Sequence, residues 1–336
     1  MYVFAKLTEV LFSDGIFNVD GENWKFQRQV ASHEFNTKSL RKFVETVVDT
    51  ELSDRLIPIF CSAAANKTVL DFQDILQRFA FDNICKIAFG HDPAYLLPSL
   101  PQEKFAVAFD AAARISGQRK QELGEKSSLE SVDLLSRFLS SGHSDENFVT
   151  DIVISFILAG RDTTSAALTW FFWLISRHPD VENEIPKEID EESEAASFEE
   201  VKNMVYTHAS LSESMRLYPL VPVDRKEAVD DVLPDGTVIK KVPPREVVGN
   251  ERRDGRKVEL RARDPYTYPV FQAGPRICPG KDMAFLQMKR VVSGVLRRFK
   301  VVPAFEEDVE PVFMAHLTSK MKGGFPVRIE ERAESF

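Results

Sequence analysis

Cysteine is scarce in this chain: three thiols, Cys61, Cys85 and Cys278, stand among 336 residues. An odd number without paired spacing excludes a disulfide framework and a cysteine-rich zinc site. Cys61 and Cys85 read as plain core residues. The N-terminus carries no signal-like or anchor-like apolar run, and no segment repeats itself. Basic excess is lacking too, for the net charge is −9, which argues against nucleic acid as a partner. What the chain does have is apolar mass. With 43% hydrophobic residues it can bury a sizeable core, and one domain over 1–336 is the expectation.

Helical periodicity dominates. It predicts helices over Lys38 to Phe60, Asp71 to Phe89, Gln102 to Ile115, Ile152 to Ile175, around Ser210 to Leu217, and beyond Gly280. The last carries Ala284, Met288, Val291, Val292, Val295 and Phe299 at spacings of three or four, the mark of a one-sided helix. Val232 to Ile239 reads as a hairpin about a Pro-Asp-Gly turn, and Asp190 to Glu194 as an acidic loop. The class is mainly α with small β-sheets.

Four constellations carry chemistry. In the first, Phe271, Gly274, Arg276, Cys278 and Gly280 stand as Phe-x-x-Gly-x-Arg-x-Cys-x-Gly directly before a helix. Two glycines let backbone approach a flat group, Pro275 and Pro279 stiffen the turn, and a helix N-terminus favours negative charge on sulfur. Such a loop suits iron ligation by one thiolate. An ordinary buried cysteine in a tight turn is the plainer alternative for the thiol taken alone.

In the second, Gly160-Arg161-Asp162-Thr163-Thr164-Ser165 interrupts two apolar runs, Ile152 to Ala159 and Ala166 to Ile175. The length would span a membrane, but two central charges make insertion costly by about 2.5–3.5 kcal/mol each. Polar groups inside a buried helix need a reason, and a helix–helix hydrogen-bond node through Thr163 and Thr164 is the plain one if the motif stands alone. The third is Glu213 with Arg216, three apart on one helix face, by itself a weak signal. The fourth is Trp24 with Arg28, four apart, where a tryptophan covering an arginine stem is the bland reading.

In this order along the chain, the four motifs resemble those of the cytochrome P450 haem-thiolate monooxygenases. The resemblance implies haem b (iron protoporphyrin IX) ligated by Cys278, with Arg276, Trp24 and Arg28 near the propionates and Phe271, Gly274 and Gly280 shaping the loop. It implies that Gly160 leaves room for dioxygen, that Asp162 and Thr163 relay protons, and that Glu213 and Arg216 lock the core behind the haem. Segments Gly15 to Arg28, Leu217 to Lys240 and Pro265 to Lys289 look most like the plant fatty-acid ω-hydroxylase branch, as do Val223-Asp224-Arg225-Lys226 and Pro269 to Arg276. A fatty-acid substrate, O2, electrons from NADPH-cytochrome P450 reductase and an endoplasmic reticulum membrane location follow from that likeness.

The chain departs from the family in three places. The N-terminal anchor, first helices and much of a first sheet are expected to be missing, because Asp14 to Asp20 leads at once into the Trp24 helix. A second gap is expected near Gly117-Gln118, where helices roofing a substrate channel would stand. A third falls between Val242 and Asn250, with Asn250-Glu251-Arg252 as a weak substitute for a Pro-Glu-Arg segment. An incomplete fold of the family is therefore expected, and an inactive remnant or a haem-binding protein without turnover are the rival readings. Arg276, Lys281, Lys289, Arg290, Arg297, Arg298 and Lys300 suggest a basic face for an acidic electron donor, a solvated helix edge being the simpler account.

Overall fold

The computed structural model describes residues 14–35, 41–99, 134–135, 138, 146–188, 197–228, 230–232, 235–240, 242–248, 264–305 and 309–332. The helix expected over Gln102 to Ile115, the Gly117-Gln118 junction, the acidic run Asp190 to Glu194 and Asn250-Glu251-Arg252 lie outside the described residues.

Helix α1 is Gly21–Ser32. Helix α2 is a continuous run over 43–66 that widens twice into π turns, Phe43–Val48 and Leu52–Leu56, before closing as α-helix Ile57–Asn66. Pro58 follows the second wide turn, and its missing N–H breaks the ordinary ladder there. The run outlasts the expected end at Phe60 and stops at Lys67, whose left-handed φ of 53° ends the helix.

Strand β1, Leu70–Asp71, leads into α3, Phe72–Phe89. Asp71 caps α3 by accepting from the N–H groups of Gln73 (3.1 Å) and Asp74 (3.3 Å), and it also accepts from Phe325 N–H at 2.9 Å. Gly324 is required beside it, since φ is +84° and an added Cβ would lie 2.3 Å from an Asp71 oxygen.

The long helix α4 is Glu146–Ser176, and α5 is Pro179–Glu184. Helices α6, Phe198–Asn203, and α7, Val205–Leu217, follow. Met204 offers α7 no cap, so Glu188 supplies it from outside, accepting from Tyr206 N–H (2.6 Å), Thr207 N–H (2.8 Å) and Thr207 Oγ1 (2.7 Å).

Strands β2 (Val223–Ala228) and β5 (Val242–Val248) pair antiparallel. Between them, β3 (Asp231–Val232) and β4 (Val238–Ile239) make the expected hairpin, with Gly236 at φ +85° and Thr237 N–H donating to Asp235. Helix α8 is Lys281–Arg298 and runs into β6, Phe299–Pro303. The pair β7 (Phe313–Ala315) and β8 (Ser319–Met321) precedes β9, Pro326–Glu331, which lies between β1 and β6.

The main core gathers Phe60, Phe72, Trp170, Phe172, Val291, Val295 and Phe299, all fully buried. Phe72 meets Phe172 edge-on at 4.9 Å between ring centres, which seats α3 along α4. A second core of Phe81, Ile84, Cys85, Phe138, Ile152 and Phe156 fills the other half of that interface. Among the described residues, no helix is long and apolar enough to cross a membrane. Helix α8 departs from the one-sided pattern. Beyond its apolar face, Gln287, Lys289, Arg290 and Ser293 are buried as well, because α7, α2 and β6 surround it.

Candidate functional site

Helix α8 begins at Lys281 with Gly280 as its N-cap, so Cys278 stands two residues before the cap, just ahead of a helix N-terminus as the spacing predicts. The loop reaches it through two short 3₁₀ turns, Pro269–Phe271 and Gly274–Arg276. Cys278 N–H donates to the Phe271 carbonyl at 2.8 Å, which closes the loop into a ring around the thiol. Gly274 takes φ +70°, open to glycine far more readily than to other residues. At Gly280 an added Cβ would sit 3.8 Å from Cys278 Sγ and 3.5 Å from the Phe35 ring. Both are ordinary contact distances, so Gly280 borders the sulfur directly.

Burial pushes the Cys278 thiol up, while the Gly280 N–H and the charges of Arg28 and Lys281 pull it down and Asp282 opposes them. Burial wins, so the helix end alone does not make this thiol a thiolate. A metal cation at the sulfur would supply the missing positive charge. Arg28, partly desolvated, feels the sulfur in return. A single soft donor, a glycine beside it and a neighbouring guanidinium fit a thiolate-bound haem iron.

Arg276 is engaged by α1. Its guanidinium lies 4.9 Å from the centre of the Trp24 ring, donates to the Val19 carbonyl at 2.8 Å and pairs with Asp20. Trp24, Arg28, Arg276 and Cys278 are therefore brought to one place, with Arg276 tying the loop to α1. Sequence reasoning missed Asp20, 256 residues away, and Gln27, which is 1% exposed and donates to Asp14 O at 2.7 Å.

On α4, Asp162 accepts from Arg161 at 2.5 Å, and Arg161, 6% exposed, also donates to Gln77 of α3 at 3.1 Å. Thr163 Oγ1 donates back to the Ala159 carbonyl at 2.6 Å. Gly160 has a packing task that the sequence did not show. A Cβ there would meet Ile84 Cδ1 and Cγ1 at 2.6 Å, so the missing side chain is the seat of Ile84 and brings α3 and α4 together.

Glu213 and Arg216 form a two-pronged pair, Nε to Oε2 at 2.7 Å and Nη2 to Oε1 at 2.6 Å. Tyr268, at the start of the cysteine loop, adds a contact absent from the sequence reading: its hydroxyl donates to the Ser212 carbonyl at 2.6 Å.

The supposed basic face does not form as drawn. Lys289 is buried and donates to the Lys202 carbonyl at 2.9 Å, and Arg290 is buried against Asp49. Lys281 remains exposed at one end of the 18-residue helix, and Arg298 and Lys300 at the other, about 26 Å away at 1.5 Å per residue. Cys85 is buried as expected, and burial drives its thiol far up. Cys61 is only half-buried, 3.5 Å from an Arg298 nitrogen.

A mainly helical body holding one thiol at a helix entrance is the arrangement expected of the haem-thiolate class of protein. The comparisons narrow the class. The family described as Cytochrome P450 matches residues 2–102, 94–242 and 251–325. Cytochrome P450 94A2 of Vicia sativa is 56% identical over 387 residues, covering 95% of this chain and 75% of the relative. Cytochrome P450 94B1 of Arabidopsis thaliana is 41% identical over 399 residues, covering 98% and 78%. A cytochrome P450 crystal structure superimposes with a TM-score of 0.79 over 98% of this chain and 83% of its own, at 19% identity, and shares the fold.

The chain belongs to the cytochrome P450 family, a family of monooxygenases, and membership implies a haem cofactor and a redox partner. The alignment with 94A2 is longer than the 336-residue chain itself, so the relative has internal segments that this chain lacks. One interruption of the family match, 242–251, coincides with the third expected gap. The first two matched stretches overlap at 94–102, so the match restarts there, upstream of the expected Gly117-Gln118 junction.

Proposed function

We propose that this protein is a haem b monooxygenase that hydroxylates a fatty acyl chain, with Cys278 as the iron ligand. The observation that carries the reading is the Cys278 loop, whose backbone N–H donates to the Phe271 carbonyl at the entrance of α8, with Gly280 beside the sulfur. When bound, the haem supplies the iron that activates dioxygen. The residues supply position and protons. Phe271, Gly274 and Gly280 shape the loop, while Trp24, Arg28 and Arg276 form a cationic and aromatic edge suited to carboxylate side groups. Asp162 carries a proton inward and Thr163 Oγ1 hands it on, since the hydroxyl both accepts and donates. Electrons come from NADPH-cytochrome P450 reductase, and the working location is the endoplasmic reticulum membrane. The relatives named 94A2 and 94B1 support the plant branch in which a fatty-acid substrate is expected.

A reduced carbon-monoxide spectrum tests the ligand: a thiolate-type band is expected and is lost in Cys278→Ser. Unchanged pigment and band in that variant would overturn the assignment. NADPH- and reductase-dependent conversion of lauric or oleic acid tests the activity. A second reading, a haem-binding chain without turnover, is favoured by the segments missing relative to 94A2. Its signature is a thiolate-type band without product.

A further inference from the structure

The cysteine loop is supported from behind by one face of α7. His208 and Ser212 are four residues apart and so lie one above the other on that helix. Ser212 offers its carbonyl to the Tyr268 hydroxyl at 2.6 Å, immediately before the first 3₁₀ turn of the loop. His208 stacks on Phe285 of α8, with ring centres 3.8 Å apart and planes inclined by 15°. Phe285 in turn lies 5.3 Å from the Phe271 ring. The chain of contacts ends at the thiol, because the Phe271 carbonyl accepts from Cys278 N–H at 2.8 Å. Three stacked or tilted rings thus join α7 to the residue whose backbone holds Cys278.

We propose that His208 is a positioning residue for the Cys278 loop, acting through the ring ladder Phe285 and Phe271. A ring packed against two others cannot tip without displacing its neighbours. Loosening the ladder at His208 lets Phe271 move, and with it the carbonyl that fixes the Cys278 backbone. Groups one step behind a ligand set its orientation, and through that its protonation. The surroundings suit a neutral aromatic ring. Burial foremost, then the charges of Lys289 and Lys281, hold the imidazole down to about 4 against the pull of Asp282.

The inference rests on Cys278 being the iron ligand, and the test separates the two. The haem-loaded parent, His208→Leu and His208→Phe are compared by reduced carbon-monoxide spectra and by haem transfer to an acceptor globin. Leu fills the space without a ring, whereas Phe keeps the stack. The expected result is that His208→Leu loses most of the thiolate-type band and releases haem faster, while His208→Phe matches the parent. A thiolate band retained in His208→Leu, or lost equally in both variants, overturns the proposal. Failure of His208→Leu to fold overturns it too, since the residue would then serve the whole core. A parent without the thiolate band brings down the ligand assignment itself.

Discussion

Ile84 occupies the place where a side chain on Gly160 would stand: a Cβ built there lies 2.6 Å from two Ile84 carbons and 3.0 Å from a third, the branch point itself. Rotation of Ile84 cannot relieve all three, so α3 and α4 must part. Gly160→Ala gains about 1 kcal/mol in helix propensity but incurs overpacking of typically 1–3 kcal/mol. A net loss of stability is expected in urea unfolding. Equal or greater stability would show that α3 and α4 have room between them.

The fork between Arg216 and Glu213 makes a second expectation. Its carboxylate is 42% exposed, so solvent screens the charge and geometry matters more. Arg216→Lys keeps the charge and loses one of two parallel bonds. A loss of about 1 kcal/mol is expected, and combining it with Glu213→Gln should add little further in a double-mutant cycle. Additive losses would mean that the two side chains act on separate neighbours.

Local chemistry was legible in the chain and long-range pairing was not. The Pro-Asp-Gly hairpin and the entrance of α8 each depend on residues within ten positions of one another, and both stand where the pattern put them. Lys289 and Arg290 look like surface charges in any window of sequence, yet Lys202 and Asp49 bury them from 87 and 241 residues away. The packing task of Gly160 was hidden for the same reason, since the Ile84 that needs its space belongs to another helix. His208 and Tyr268 carried no signal beyond their place, for a ring stack and a hydroxyl reaching a backbone carbonyl leave no motif.

Titration of His208 gives a pH expectation with a definite sign. Its pKa falls from 6.5 to about 4 on folding, through burial first and then Lys289 and Lys281. The unfolded chain therefore binds the extra proton between those values, and stability drops as pH falls through that window. The contribution is complete above pH 6.5 and exhausted below about 4. Glu51 works in the opposite direction, its carboxyl raised to about 6 mainly by burial, so the raw curves mix both. The difference between parent and His208→Phe isolates the histidine. Relative to the variant, the parent should weaken from pH 6.5 to 4 in urea midpoints; parallel curves would refute the depressed pKa.

Arg161 and Asp162 allow structure and chemistry to be separated in one experiment. The two side chains are 8% and 12% exposed and bonded at 2.5 Å, with Gln77 accepting a second Arg161 bond. Asp162→Asn removes the countercharge of a buried guanidinium, which costs about 3–5 kcal/mol in such pairs. The low end is expected here because Gln77 remains. Replacing both charges with apolar groups of similar volume, Arg161→Met with Asp162→Leu, leaves no charge uncompensated and should recover most of that stability. Turnover should not recover, since the proposed proton carrier is still absent. Stability is read by urea unfolding and turnover by product formed per NADPH consumed. Active protein carrying both apolar replacements would show that Asp162 serves only to neutralise Arg161.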